Sequence, residues 1–166
     1  MSYSIVYATA TGNTKLLADN VAEVLGSECV YFGQPDEKAK ESDVIFIGFW
    51  TDKGTCNEEI KDFILGLKNK RIVLFGSAGA GDEDYLNMVI NNVKKEIDKS
   101  CEVIGEFMCQ GKMQQSVKAR YEIMLAEKPG DKQILSLIKN FEEALNHPNE
   151  EDLNRLKNKV KEAIKK

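Results

Sequence analysis

The chain has 166 residues, of which 42% are hydrophobic and 30% charged, as in an ordinary globular domain with its own core. Its formal net charge is −4, which argues against nucleic acid as a partner because phosphate backbones repel a negatively charged protein. No apolar stretch approaches the ~20 residues that span a membrane, and the N-terminus lacks a basic region followed by an apolar one, which predicts a cytoplasmic protein.

Short apolar segments separated by amphipathic ones run through the chain. Five are typical of buried β-strands, at residues 4–7, 29–32, 44–49, 71–75 and 102–109. Between and after them, helical spacing predicts helices at residues 13–25, 60–67, 86–97, 114–127, 131–146 and 150–166. This alternation predicts an α/β fold with three layers: a doubly wound, five-stranded parallel sheet of strand order 2-1-3-4-5, with extra C-terminal helices.

The domain prediction is a single unit over residues 1–166. Its core spans residues 1–128, and a helical extension over residues 129–166 packs on that core. The last helix carries one apolar stripe, formed by Leu153, Leu156, Val160 and Ile164. We expect this stripe to pack on the sheet of a monomer, and a dimer contact is the alternative.

Metal and catalytic chemistry find little support in the sequence. The four cysteines form no C-x-x-C pair and there is one histidine, so no metal site is predicted. We expect free thiols in a reducing compartment, with Cys56 set apart because it falls in a suspected ligand loop. No residue is a convincing acid, base or nucleophile, since His147 lies in a distal helix break.

The segment after the first strand is the most informative in the chain. It consists of Thr9, Ala10, Thr11, Gly12, Asn13 and Thr14. Hydroxyl groups and a glycine at a helix start suit a phosphate, because the helix N-terminus has free N–H groups and a positive dipole end. The motifs of a P-loop and of a dinucleotide-binding strand–turn–helix are absent, as are the paired acids of a receiver domain.

Residues 5–21, I-V-Y-A-T-A-T-G-N-T-K-L-L-A-D-N-V, resemble the signature of the flavodoxin family. The resemblance implies a flavodoxin-like fold that binds flavin mononucleotide (FMN) without a covalent bond, with this loop around the FMN phosphate. It covers about residues 3–110 by order of elements. The simpler alternative is that the threonines and the asparagine only cap the first helix.

In flavodoxins the loops after strands 3 and 4 hold the flavin ring. The resemblance therefore implies ring contacts from Phe49, Trp50, Thr51, Asp52, Lys53 and Gly54, and from Ser77, Ala78, Gly79, Ala80, Gly81, Asp82 and Tyr85. Trp50 and Tyr85 are the candidates for stacking on the flavin. Both loops depart from the family pattern in spacing, so ordinary half-buried packing is the alternative for either ring.

The predicted function is an electron carrier that delivers low-potential electrons to a partner reductase. Acidic residues near the ring, Asp52 and those at 82–84, are expected to disfavour the anionic reduced flavin. The alternative for residues 82–84 is that they complement the dipole of the helix that follows. The Lys53–Gly54 peptide is a candidate to bind flavin N5–H.

The alternative function is an NAD(P)H-dependent FMN or quinone reductase on the same fold. It is disfavoured because Arg71, Arg120 and Arg155 are the only arginines and none lies in the three loops. A module that has lost FMN is a third possibility. Residues 110–113 and the helix near Gln114 could approach the flavin edge or cover a partner surface.

Overall fold

The computed structural model describes residues 1–166. The elements in chain order are β1 (Tyr3–Tyr7), α1 (Asn13–Leu25), β2 (Cys29–Gly33), β3 (Val44–Asp52), β4 (Thr55–Cys56), α2 (Glu58–Leu65), β5 (Arg71–Ala78), α3 (Glu83–Lys95), β6 (Glu102–Gln110), α4 (Gln115–Glu127), α5 (Lys132–Ala144) and α6 (Glu150–Ala163). Short 3-10 helices occupy Gly26–Glu28 and Glu37–Glu41. None of the helices combines the length and the apolar character that crossing a membrane requires.

The five long strands form one parallel sheet in the order β2-β1-β3-β5-β6. The predicted order of the five strands is therefore confirmed, and the sheet differs from the prediction by one added strand. That strand, β4, has two residues and pairs antiparallel with the end of β3. It forms because β3 continues three residues beyond its predicted end, to Asp52, before the chain turns back.

The core lies on both faces of the sheet. Successive strand residues point to opposite faces, so Phe46 packs with the cluster under α1 and α6, while Ile45 and Ile47 pack with the cluster under α2 and α3. All three side chains are fully buried. The three-layer α/β prediction is confirmed, and the near-continuous apolar run of β3 follows from its cover on both sides.

The three C-terminal helices have different roles in the packing. The last, α6, buries Leu156, Val160 and Ala163 against α1 and β6. In contrast, α4 buries none of its residues, and it packs mainly against α5. These two helices therefore form an antiparallel pair, the α4–α5 hairpin, inserted in the chain between the edge strand β6 and α6.

Candidate functional site

A cleft of about 400 Å³ lies at the carboxyl ends of β1, β3 and β5. This is where ligands bind in doubly wound sheets, because the crossovers after neighbouring strands leave on opposite faces and open a crevice between them. The residues that line the cleft are Ala10, Thr11, Asn13, Trp50, Thr51, Asp52, Ser77, Ala78, Gly79, Gly111, Lys112, Met113, Gln114, Val117 and Arg120. All three loops singled out in the sequence contribute to it.

The β1–α1 loop presents the start of α1 to this cleft. Gly12 is the N-cap with a φ of 90°, a left-handed conformation that side chains rarely adopt, and it has open space around it. The Gly12 amide donates to Thr9 Oγ1 at 3.0 Å, which tightens the turn. Thr14 is fully buried and its hydroxyl has no hydrogen-bond partner. A buried hydroxyl without a partner costs free energy, so this loop is suited to an anion that accepts from it.

The segment predicted as a loop after β3 is a β-hairpin. Asp52 pairs with Thr55, and the two residues between them, Lys53 and Gly54, have φ values of 51° and 80°. Two positive φ values in a two-residue connection are typical of a type I′ turn, whose twist matches that of the strands. The Gly54 carbonyl accepts from Asn92 Nδ2 at 2.9 Å. The hairpin therefore directs its turn toward α3, and neither Lys53 nor Gly54 lines the cleft.

The hairpin still carries cleft residues on its β3 arm. Trp50 is half-buried, lines the cleft and also packs against the core cluster on the α2–α3 face. Thr51 Oγ1 donates to the Ser77 carbonyl at 2.8 Å, which joins the β3 arm to the loop after β5. Phe49, one residue before Trp50, is fully buried beneath the cleft rather than in its wall.

The loop after β5 divides between two surfaces. Ser77, Ala78 and Gly79 line the cleft, whereas Gly81 lines a separate groove beside β6. Ala80 and Asp82 lie outside the cleft. Asp82 caps α3, accepting from the Tyr85 amide at 2.9 Å. This cap turns Tyr85 into the first turn of α3, where its ring packs half-buried on the α2–α3 face of the core, outside the cleft.

A fourth segment, residues 110–114, completes the cleft. The Gly111 amide donates to the Ala78 carbonyl at 2.9 Å, and Asn13 Nδ2 donates to the Lys112 carbonyl at 2.9 Å. A Cβ on Gly111 would lie only 2.4 Å from Asn13 Nδ2. The segment is thus packed directly on the start of α1. In the sequence, the signal for this segment is that it follows β6, a strand that ends at the same edge of the sheet as β1, β3 and β5.

The α4–α5 hairpin supports this segment and extends the cleft. Val117 and Arg120 of α4 lie in the cleft wall. From α5, Asn140 Nδ2 donates to the Gly79 carbonyl at 3.1 Å, and Gln110 Nε2 donates to the same carbonyl at 3.0 Å. The sequence placed Gly79 in the site and allowed residues 110–113 and the helix near Gln114 to approach the flavin edge. It did not assign Val117, Arg120 or Asn140 to the site, because their place depends on how the hairpin docks.

The charges in the cleft differ from those expected. Asp52 is the one acidic residue in its wall, and Lys112 and Arg120 are the two basic ones. Neither cation forms an ion pair, whereas Lys118, on the same helix as Arg120, lies within 4.0 Å of both Glu122 and Glu142. No arginine lies in the three ligand loops, but α4 brings Arg120 to the cleft, so a cation is present there that the loops alone did not predict.

The cysteines and the histidine lie outside the cleft. Cys109 and Cys56 are buried, and burial raises the pKa of each thiol. His147 lies outside the cleft, with Nδ1 2.7 Å from Oδ2 of the buried Asp152. The cleft is therefore built to hold a ligand by hydroxyl, amide and charged groups.

Comparison with known proteins identifies the family of the chain. Residues 4–161 match the family model of the flavodoxin domain. The chain is 40% identical over 172 residues to the flavodoxin-like domain-containing protein BilS of Clostridium symbiosum (strain WAL-14163), covering 92% of this chain and 90% of that protein. Oxidised Flavodoxin 2 from Bacillus cereus shares the fold with a TM-score of 0.64, at 14% identity over 99% of both chains.

A solved flavoprotein in complex with FMN, from Lactobacillus acidophilus NCFM, has a TM-score of 0.50 at 14% identity. It covers 65% of this chain and 93% of its own. At 14% identity these two structures show only that the fold is shared. The family is shown by the match to the family model and by the similarity to BilS. The chain belongs to the flavodoxin family.

Proposed function

We propose that the chain binds FMN non-covalently in the cleft and carries electrons to a partner reductase. The observation that carries this proposal is the buried Thr14 hydroxyl without a partner at the start of α1, next to Asn13, which lines the cleft together with Trp50. Bound FMN would supply the electron-accepting ring, which no side chain of this protein can replace. The chain's own residues would hold FMN in the cleft.

The donor set fits a phosphate and a polyol. Thr14 and the free N–H groups of the first turn of α1 would hold the phosphate. Asn13 Oδ1 is buried and has no hydrogen-bond donor, so it suits a ligand hydroxyl such as those of the ribityl chain. Trp50 offers an aromatic face in the same cleft. Met113, whose side chain packs closely on Gly79, is a further apolar contact.

The cleft is lined mainly by hydroxyl, amide and backbone groups beside Trp50, a set that suits holding a flavin rather than attacking a substrate, and this supports a carrier. The exposed α4 adjoins the cleft, and it would give a partner reductase a surface beside the flavin. We propose that the protein acts as a monomer, because the apolar stripe of α6, which could otherwise form a dimer contact, is used against α1 and β6.

The phosphate contact is tested by Thr14→Val, which removes the hydroxyl and keeps the side-chain shape. Loss of a hydrogen bond to a charged group costs about 1.5–3 kcal/mol, or roughly 10- to 100-fold in affinity. We expect FMN binding, followed by quenching of flavin fluorescence, to weaken by that factor. Binding of riboflavin, which lacks the phosphate, should not change.

Thr55→Val is the matched control, since Thr55 lies on β4 outside the cleft. It should leave both affinities as in the wild type. Failure of the wild-type protein to retain FMN would overturn the proposal. Equal weakening of FMN and riboflavin by Thr14→Val would overturn the assigned role of Thr14.

The second candidate function is an NAD(P)H-dependent FMN or quinone reductase. It is favoured by one observation, that Lys112 and Arg120 are unpaired cations in the cleft and could bind a nucleotide phosphate. The two functions separate in an anaerobic experiment on the FMN-loaded protein. Bleaching of the flavin by NADPH alone supports the reductase. Reduction by dithionite in two resolved one-electron phases, with no response to NADPH, supports the carrier.

A further inference from the structure

Two positive charges share the cleft with one negative charge. Lys112 is held by its backbone on both sides: its amide donates to the His147 carbonyl at 3.0 Å, and its carbonyl accepts from Asn13 Nδ2 at 2.9 Å. Arg120 lies in the second turn of α4. Both residues line the cleft, both are exposed, and neither has an acidic partner within 4.0 Å. A cation without a counter-ion in a ligand cleft is available to a ligand anion.

The acidic residues expected to oppose such an anion do not face the cleft. Asp82 caps α3, and the side chains at 83 and 84 lie in the first turn of that helix, where they complement its dipole. None of the three lines the cleft, which leaves Asp52 as the single acidic residue there. The field inside the cleft is therefore set by two cations against one carboxylate, and it favours added negative charge.

A flavin changes charge when it is reduced. Oxidised flavin has a neutral ring; taking up two electrons and one proton, which goes to N5, leaves one negative charge on the ring. A cation that lines the cleft interacts more favourably with the reduced ring than with the oxidised ring. The phosphate charge is the same in both states, so contacts to the phosphate cannot cause such a difference.

On the basis of the proposed function, we propose that Lys112 and Arg120 bind the anionic, two-electron-reduced form of FMN preferentially. By stabilising this form they raise the reduction potential of the bound flavin above that of the same cleft without them. The sequence predicted a low flavin reduction potential from four acidic residues, and only one of them, Asp52, lies in the cleft. These two cations are then the residues that determine how strongly the carrier reduces its partner.

The test measures the dissociation constant of FMN for the oxidised protein and, under anaerobic dithionite, for the reduced protein. The variants are Arg120→Gln, Lys112→Gln and the double substitution. Exposed charge pairs contribute about 0.2–1 kcal/mol, a factor of roughly 1.4 to 5. Each single variant should therefore raise the ratio of reduced to oxidised dissociation constants by about 1.4- to five-fold, and the double variant should raise it further.

Two controls separate charge from shape. Lys128→Gln removes an exposed cation at the far end of α4, and should leave the ratio unchanged. Arg120→Lys keeps the charge and should retain the wild-type ratio. The effect of Arg120→Gln should also shrink near 1 M salt, where the Debye length is about 3 Å.

The outcomes distinguish this inference from the function on which it rests. A wild-type protein that binds no FMN overturns both. A protein that binds FMN, with both oxidation states weakened equally by Arg120→Gln and Lys112→Gln, overturns only this inference and assigns the two cations to the phosphate or the cleft shape. An unchanged ratio with unchanged affinities overturns it as well.

Discussion

At the scale of single residues, Gly111 is the cleft position with the least room for a side chain. A methyl group there would lie 2.4 Å from Asn13 Nδ2 and 3.1 Å from Ser77 Cβ, so Gly111→Ala must displace Asn13 and its bond to Lys112. We expect FMN affinity, measured by fluorescence quenching, to fall at least about ten-fold, the effect of one lost hydrogen bond of about 1.4 kcal/mol.

The control for Gly111→Ala is Gly66→Ala. At Gly66 the backbone is right-handed, and an added methyl group meets only the flexible end of Lys40 at 3.2 Å and the Phe63 carbonyl at 3.6 Å. This variant adds the same group far from the cleft and should bind FMN like the wild type. An unchanged affinity in Gly111→Ala would contradict the tight packing described for this segment.

Asp152 gives a prediction about stability at low pH. Burial acts to raise the pKa of this carboxyl, but hydrogen bonds from the Asn149 amide, His147 and Arg155 outweigh it and hold the pKa below its ordinary value. Because the unfolded pKa is about 3.9, the ionised group stabilises the fold above about pH 4, and this stabilisation is lost as the pH falls through the folded pKa.

This prediction is checked by comparing the free energy of unfolding of the wild type with that of Asp152→Asn. We expect the wild type to be more stable at neutral pH by about 1–3 kcal/mol, the cost of leaving buried groups without partners. The difference should shrink as the pH falls from about 4. Urea denaturation at a series of pH values measures it, and a difference that stays constant down to the acid limit would contradict the prediction.

At the scale of elements, the C-terminal helices differ in what they contribute to stability. Leu156 of α6 is 1% exposed between α1 and the sheet, whereas Leu135 of α5 is 46% exposed. The same substitution therefore has two expected outcomes. Leu156→Ala should lower the free energy of unfolding by about 2–5 kcal/mol, and Leu135→Ala by less than about 1 kcal/mol. Equal losses in denaturant titrations would contradict the difference in burial between the two leucines.

The elements themselves could be predicted from the sequence because their signals are local. The apolar runs gave the five long strands, the helical stripes gave the helices, and the rules of parallel crossovers gave the order. The hairpin of β3 and β4 was missed because its turn residues are Lys53 and Gly54, and lysine rarely takes the positive φ of 51° found here.

The site was predictable only where it is contiguous in the chain. The β1–α1 loop was predicted as six adjacent residues at the end of one strand, and three of them, Ala10, Thr11 and Asn13, line the cleft. Arg120 reaches it from a helix whose docking no local pattern specifies, and Tyr85 leaves it because the Asp82 cap fixes where α3 starts. Residues whose position depends on the packing angle of another element are the ones that sequence reasoning could not place.

At the scale of the whole molecule, stability should be distributed unevenly. β1, β3 and β5 lie inside the sheet with buried side chains on both faces, while α4 buries none of its residues. Regions with few buried contacts open at low free energy. We therefore expect hydrogen exchange, followed by mass spectrometry on the FMN-free protein, to be slowest in these strands and fastest in α4. Equal protection of α4 and β3 would contradict this.

The backbone bond from the Lys112 amide to the His147 carbonyl, 3.0 Å long, closes the stretch of chain between them. This bond brings the two ends of the stretch to one point, so the length of the largely exposed α4–α5 connection at residues 128–131 is independent of how α6 reaches α1. Lengthening a closed loop costs little additional entropy. An insertion in that connection should therefore be tolerated, and it would reshape the end of the α4–α5 hairpin while the sheet keeps its register.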